Sequence, residues 1–277
     1  MAETAPATRI LELTNRPDSR RVWLAHLRQH MDVLAILARK DFQVRYKRAS
    51  LGVTWAVAVP LLQASIMAVV FSRVVRAGVG PGYGIYIMSG IIPFSYFSSV
   101  LGSGVTSIVD GAAFTDKVWF PRILLAIVPV ISNLVGLLVT LVVLVAAMPL
   151  LGVNYGLRLL LLVPATLLLV AFAGSLTLVL SALNVYFRDV KFLVMASLMV
   201  WMYVTPIIYP ITFLKRIEFV AVANPLTGVV TVFHMATVGS RGPWVAPLLV
   251  TLSVTAVLLV IGAEAHRRYD RLFVDLL

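Results

Sequence analysis

Long apolar stretches free of ionisable side chains constrain this chain most. Six of them, at about residues 51–71, 83–109, 123–151, 159–187, 192–209 and 244–263, hold no Asp, Glu, Lys, Arg or His. A bilayer core about 30 Å thick takes about 20 apolar residues per helical crossing. Inside lipid every backbone N–H and C=O needs a partner within the segment, which an α-helix supplies. The expected fold is therefore an all-α integral membrane protein with six transmembrane helices. Composition agrees: of 277 residues 60% are hydrophobic and 13% charged, where soluble domains carry roughly 25% charged residues. Mean hydropathy is +0.97.

A net charge of +11 would suit a nucleic-acid partner, but the basic residues sit at the ends of apolar segments rather than along one soluble face. That is the pattern of orientation in a membrane. With the N-terminus in the cytoplasm, ten basic residues precede the first span, and Lys117, Arg122, Arg188, Lys191, Arg267, Arg268 and Arg271 also fall inside. Arg73, Arg76, Arg158, Lys215, Arg216 and Arg241 fall outside. Both termini are thus expected in the cytoplasm, with membrane lipids as partners and no nucleic acid.

Three segments are not spans. Residues 1–30 lack the apolar core of a cleavable signal peptide and read as a soluble tail, partly disordered up to about Arg20. Residues 31–277 read as one transmembrane domain. It begins with an amphipathic interface helix at 31–47, with Val33, Ile36, Leu37 and Val44 on one face and Lys40 intruding. Between the fifth and sixth spans, Pro206, Pro210, Lys215, Arg216, Glu218 and Pro225 interrupt an apolar region. Two short re-entrant helices are expected there, one starting at Asn224-Pro225, with Asn as N-cap and Pro in the first turn.

The missing chemistry narrows function. The sequence has no G-x-x-x-x-G-K-[ST] loop for nucleotide phosphates, and no G-x-S-x-G, H-E-x-x-H or paired-carboxylate motif. GVGPGYG at 78–84 does not fit G-x-G-x-x-G and reads as an external turn. There is no cysteine, and His26, His30, His234 and His266 form no ligand cluster, so no metal site is expected. Ion-free spans argue against proton coupling, while sodium coupling through carbonyl oxygens stays open. Uphill transport is otherwise expected to draw its energy from another subunit. The in-span polar residues Gln63, Ser65, Ser132, Asn133, Thr166, Ser175 and Asn184 are read as interhelical hydrogen-bonding groups, typically worth under about 2 kcal/mol each.

RYKRASLGVTWAVAVPLLQ (45–63), FTDKVWFPR (114–122), LNVYFRDVKF (183–192), TPIIYP (205–210) and ANPLT (223–227) occur in order along the chain. Together they resemble the membrane subunits of ATP-binding-cassette exporters of polysaccharides such as O-antigen, capsule, teichoic acid and cell-wall galactan. The resemblance covers roughly residues 31–270. It implies a bacterial inner-membrane permease that is not itself an enzyme. Such permeases act as homodimers with two copies of a separate ATPase. The chain binds no cofactor, ATP and Mg residing on the partner. A lipid-linked polysaccharide passes outward through a channel on the two-fold axis.

The same resemblance assigns roles. Phe114, Asp116, Lys117 and Trp119 would form the coupling segment that docks on the ATPase, with Arg188 and Asp189 in the other cytoplasmic turn. Arg45, Lys47 and Arg48, with Trp55 one turn inside, would receive the lipid pyrophosphate, since Arg suits bidentate phosphate contact. Phe94, Tyr96, Phe97, Trp201 and Tyr203 would line the glycan path. Pro206, Tyr209, Asn224 and Pro225 would belong to the outer gate. The alternatives are a drug or peptide exporter of the same class, a sodium-coupled carrier, and a membrane enzyme acting on polyprenyl-linked sugars. The last would need clustered acids or a His base, which the chain lacks apart from Asp110 and Asp116.

Overall fold

The computed structural model describes residues 19–47, 51–52, 54–70, 82–112, 120–214 and 218–269. Among these the chain is helical, with no strand. In chain order the helices are α1 (Arg20–Gln29), α2 (Met31–Tyr46), α3 (Thr54–Val70), α4 (Tyr83–Gly104), α5 (Ser107–Asp110) and α6 (Ile123–Leu150). They continue with α7 (Leu162–Tyr186), α8 (Val190–Val204), α9 (Glu218–Ala223), α10 (Pro225–Thr237) and α11 (Val245–Tyr269).

Four described helical stretches are long and apolar enough to cross a membrane: Tyr83–Gly104, Ile123–Leu150, Leu157–Tyr186 and Val245–Tyr269. The last two correspond to α7 with its leading 3-10 turn, and α11. Helix α3 has 17 residues and α8 has 15, short of the expected 20. The expected fifth span, 192–209, instead stops at Val204. Thr205 is extended (φ −82°, ψ 133°), as the residue before a proline prefers to be, and Pro206 follows it. The second expected span also ends early, at Gly104, and continues as the single turn α5.

The core lies between α4, α6, α7 and α10. In lipid the apolar effect does not press helices together, so close packing has to. Phe97 of α4 stacks on Phe172 of α7, with centroids 5.4 Å apart and planes 4° from parallel, and meets the edge of Trp201 at 5.1 Å. Such aromatic pairs are worth about 0.5–1.5 kcal/mol each. Helices α7 and α11 approach closely at Gly262, where a β-carbon would stand 2.7 Å from Leu178 Cβ.

Two features at the N-terminal end differ from expectation. The tail contains a helix, α1, capped by the Ser19 hydroxyl, which accepts from Val22 N–H. Its Trp23 and Leu27 pack beside Ile123, Ala126 and Ile127 at the start of α6. The expected face of α2 holds in part. Val33 and Leu37 pack with the buried Leu34, and Ala38 is buried too, while Ile36 and Val44 are exposed. The inward stripe Leu34–Ala38–Asp41–Arg45 follows the three-to-four-residue helical repeat and lies along α6. Ile36 is exposed, and Val44, also exposed, stands at the edge of a cleft beside Leu125 and Val128.

Candidate functional site

Helices α2, α3, α4 and α6 converge on a cleft of about 210 Å³. Phe42 and Arg45 come from α2, Trp55 and Pro60 from α3, Ser95, Tyr96 and Ser99 from α4, and Ser132, Asn133 and Thr140 from α6. The wall is rich in hydroxyls, with one amide, one guanidinium and one exposed indole. Two of the four residues expected to receive a lipid pyrophosphate, Arg45 and Trp55, are therefore brought together. Lys47 is exposed on the turn after α2. Arg48 lies outside the described residues.

Arg45 is held on both sides. One amino group donates to Asp41 Oδ2 at 2.9 Å, one helical turn earlier, and the other donates to Asn133 Oδ1. The Ser132 hydroxyl donates to the same Asp41 oxygen at 2.5 Å. Asn133 in turn donates from Nδ2 to the Pro129 carbonyl at 2.7 Å, a bond that fixes which way its amide faces. Asn133 lies ten residues past Ile123, the start of α6, so it sits about 15 Å along the axis at 1.5 Å per residue. Arg45 thus meets α6 well inside that helix rather than at its end. A charged side chain held by named partners among apolar helices is a functional candidate. Ser132 and Asn133 act as the interhelical groups they were read to be.

A second polar arrangement lies at the opposite end of the bundle, around the non-helical residues 205–209. The Tyr83 hydroxyl donates to the Ile208 carbonyl at 3.0 Å and the Tyr86 hydroxyl to the Tyr209 carbonyl at 3.1 Å. The Tyr209 hydroxyl donates to the Tyr203 carbonyl at 2.6 Å. Irregular backbone at membrane depth persists only when protein satisfies it, and these phenols do so. Asn224 caps α10 by accepting from Leu226 N–H at 3.0 Å, with Pro225 in the first turn. It also accepts from Trp201 Nε1 at 2.8 Å and donates to Thr205 Oγ1 at 2.9 Å. Tyr86 further stacks on the buried ring of His234, centroids 3.7 Å apart. The four residues expected at an outer gate, Pro206, Tyr209, Asn224 and Pro225, therefore share one region.

The remaining expected site residues fall elsewhere. Phe94 and Phe97 are buried in the chain's own core; Tyr96, also buried, lies at the wall of the cleft, its hydroxyl donating to the Val130 carbonyl at 2.9 Å. Trp201 is half-buried, and Tyr203 is exposed. Arg188 and Asp189 are exposed in the turn between α7 and α8, and among the described residues neither forms an ion pair. Phe114, Asp116, Lys117 and Trp119 lie outside the described residues. Sequence reasoning missed Asp41, whose spacing of four from Arg45 was the available signal. It also missed Tyr83 and Tyr86, for which no local signal exists.

The model of the ABC-2 type transporter family matches residues 32–237. A protein of Myxococcus xanthus named O-antigen export system permease protein RfbA is 28% identical over 240 residues, covering 84% of this chain and 90% of that protein. Two Klebsiella pneumoniae proteins of the same name are each 29% identical over 201 residues, covering 72% of this chain and 77% of theirs.

Proposed function

The chain belongs to the ABC-2 type transporter family, and we propose that it forms, as a homodimer, the outward channel for a lipid-linked polysaccharide. It is a membrane transporter component rather than an enzyme, of a kind that works with an ATP-binding partner. In the proposed assembly two copies of that partner hold ATP and Mg and dock on Phe114, Asp116, Lys117 and Trp119, with Arg188 and Asp189 alongside. The chain would cross the bacterial inner membrane six times, α3 and α8 being the two shorter crossings, with both termini in the cytoplasm.

The observation that carries the cargo reading is the cleft. A guanidinium, an exposed indole and a wall of hydroxyls suit a diphosphate joined to a sugar: Arg45 for the phosphates, Trp55 for a sugar face, and Ser95, Ser99 and Thr140 for hydroxyl groups. The relatives, named as O-antigen export permeases, support the same class of cargo. Trp55 and the exposed Tyr203 are the aromatics proposed to face the glycan. Tyr96 would line the cleft wall, and Phe94, Phe97 and Trp201 would hold the path from behind. Residues 205–209 with α9 and α10 would close its outer end.

The test replaces Arg45 with Gln and Trp55 with Ala in the native host. Membrane insertion and surface glycan are both measured. Loss of surface glycan with normal insertion is expected. Full export by both variants would overturn the reading.

A further inference from the structure

Arg45 does not face its cleft as a bare cation. The Asp41 carboxylate already occupies one edge of the guanidinium at 2.9 Å, and it is itself held by the Ser132 hydroxyl at 2.5 Å. The Arg45 and Asp41 side chains are 28% and 36% exposed, so solvent and ligand reach both. Asp41 also borders a second cleft of about 300 Å³, shared with Lys40, Ser103, Ser107 and Asp110 on the other side of α2. The carboxylate stands between two cavities, one containing Arg45 and the other Lys40.

We propose that Asp41 is an internal competitor for the anionic group that Arg45 binds, and that displacement of Asp41 unties α2 from α6. This rests on the reading of the cleft as a diphosphate site. A phosphate offers a guanidinium the same bidentate geometry as a carboxylate, with more charge. The cleft of about 210 Å³ has room for about seven waters at about 30 Å³ each, enough for a diphosphate and part of its hydration. When the diphosphate takes the edge of Arg45 that Asp41 holds, the carboxylate turns toward the Lys40 side and lets go of Ser132. The polar part of the α2–α6 tie is then reduced to the Arg45–Asn133 bond, beside the packing of Leu34 on Leu124, Leu125 and Val128. Headgroup arrival and loosening of the interface helix become one event. In the empty cleft the protein's own anion holds the guanidinium edge that the diphosphate would take.

The experiment uses the full chain in phosphatidylcholine nanodiscs, with inorganic pyrophosphate and farnesyl diphosphate as separate probes at fixed ionic strength. Binding is read by calorimetry. The native chain has no cysteine, so a spin-label pair at Gln43→Cys and Val139→Cys reports the α2–α6 distance. The expected result is binding about tenfold tighter for Asp41→Asn than for the parent, the scale of one charge-assisted hydrogen bond removed from competition. Its unliganded distance distribution should already match that of the liganded parent. Ser132→Ala, which removes one bond from Asp41 and leaves its charge, should give a smaller gain in the same direction; it serves if Asp41→Asn does not fold. Equal affinity in the parent and both variants, with Arg45→Gln still losing binding, overturns the competitor and leaves the diphosphate site standing. Unchanged binding by Arg45→Gln overturns the site itself. A gain seen with both probes supports competition for the diphosphate alone. A gain confined to farnesyl diphosphate supports competition for a headgroup delivered on its lipid.

Discussion

The indole N–H of Trp201 donates to the side-chain oxygen of Asn224 across 2.8 Å, joining the helix that ends at Val204 to the one that begins at Pro225. Through its own amide Asn224 also reaches Thr205, so one side chain ties a helix end, a bend and a helix start. Replacing Asn224 with Ala removes the cap and leaves the indole N–H and the Thr205 hydroxyl without that partner. The expected loss is about 1–3 kcal/mol, read as a drop in thermal midpoint of the purified protein. Trp201→Phe, which removes one of these bonds, should lose less. Equal midpoints for Asn224→Ala and the parent would refute the tie.

Helix α10 is seated on α11 at Gly228, where a β-carbon would stand 2.2 Å from Thr251 Oγ1 and 2.5 Å from the Pro247 carbonyl. The Thr251 hydroxyl is already committed to the Pro225 and Pro247 carbonyls, at 2.6 and 2.9 Å. Gly228→Ala must therefore part the helices, at a cost on the order of 1–3 kcal/mol. Gly102, where a β-carbon meets nothing within 4 Å, is the control. Gly102→Ala is expected to leave the thermal midpoint unchanged or raise it slightly, because Ala is the better helix former.

Arg45→Lys keeps the charge but not the fork. A single ammonium cannot reproduce the planar pair of bonds to Asp41 and Asn133. Export should fall well below the parent level, and stability by about 1 kcal/mol. Parent-level surface glycan in this variant would show that charge alone suffices.

Past Ala263 the apolar stretch of α11 ends, and Glu264 accepts from Arg267 at 2.6 Å and from Arg268 at 2.5 Å. These bonds, Arg267 first, hold its carboxyl below the ordinary 4.5, at about 2. A depressed carboxylate contributes stability that is complete above its unfolded value and lost as pH falls through its folded one. The midpoint difference between the parent and Glu264→Gln should therefore be constant above pH 4.5 and shrink below it, toward about 2. A difference that does not change from neutral pH down to pH 3 would contradict the assignment.

Much of the helical layout was legible because lipid leaves the backbone so few options. The runs at 123–151, 159–187 and 244–263 match α6, α7 with its leading turn, and α11 to within a few residues, α11 running on to Tyr269. Asn224-Pro225 starts a helix as its chemistry requires. The end of α8 was legible too, since Pro206 biases Thr205 away from helix, but hydropathy alone carried the expected span on to Tyr209. The inward face of α2 was legible only in part, because α2 has apolar residues on two faces and only the position of α6 decides between them. The cleft was half legible. Arg45 and Trp55 are close in sequence, but Asn133 and Ser132 meet α2 across 88 and 91 residues, a distance no local pattern spans.

The pairing of Asp41 with Arg45 also has an electrical consequence. A lone charge carried fully across a membrane exchanges about 2.3 kcal/mol with the field for every 100 mV. The Asp41–Arg45 pair has no net charge of its own, so this contact adds little voltage dependence to the seating of α2 on α6, whatever field the remaining charges of the helix feel.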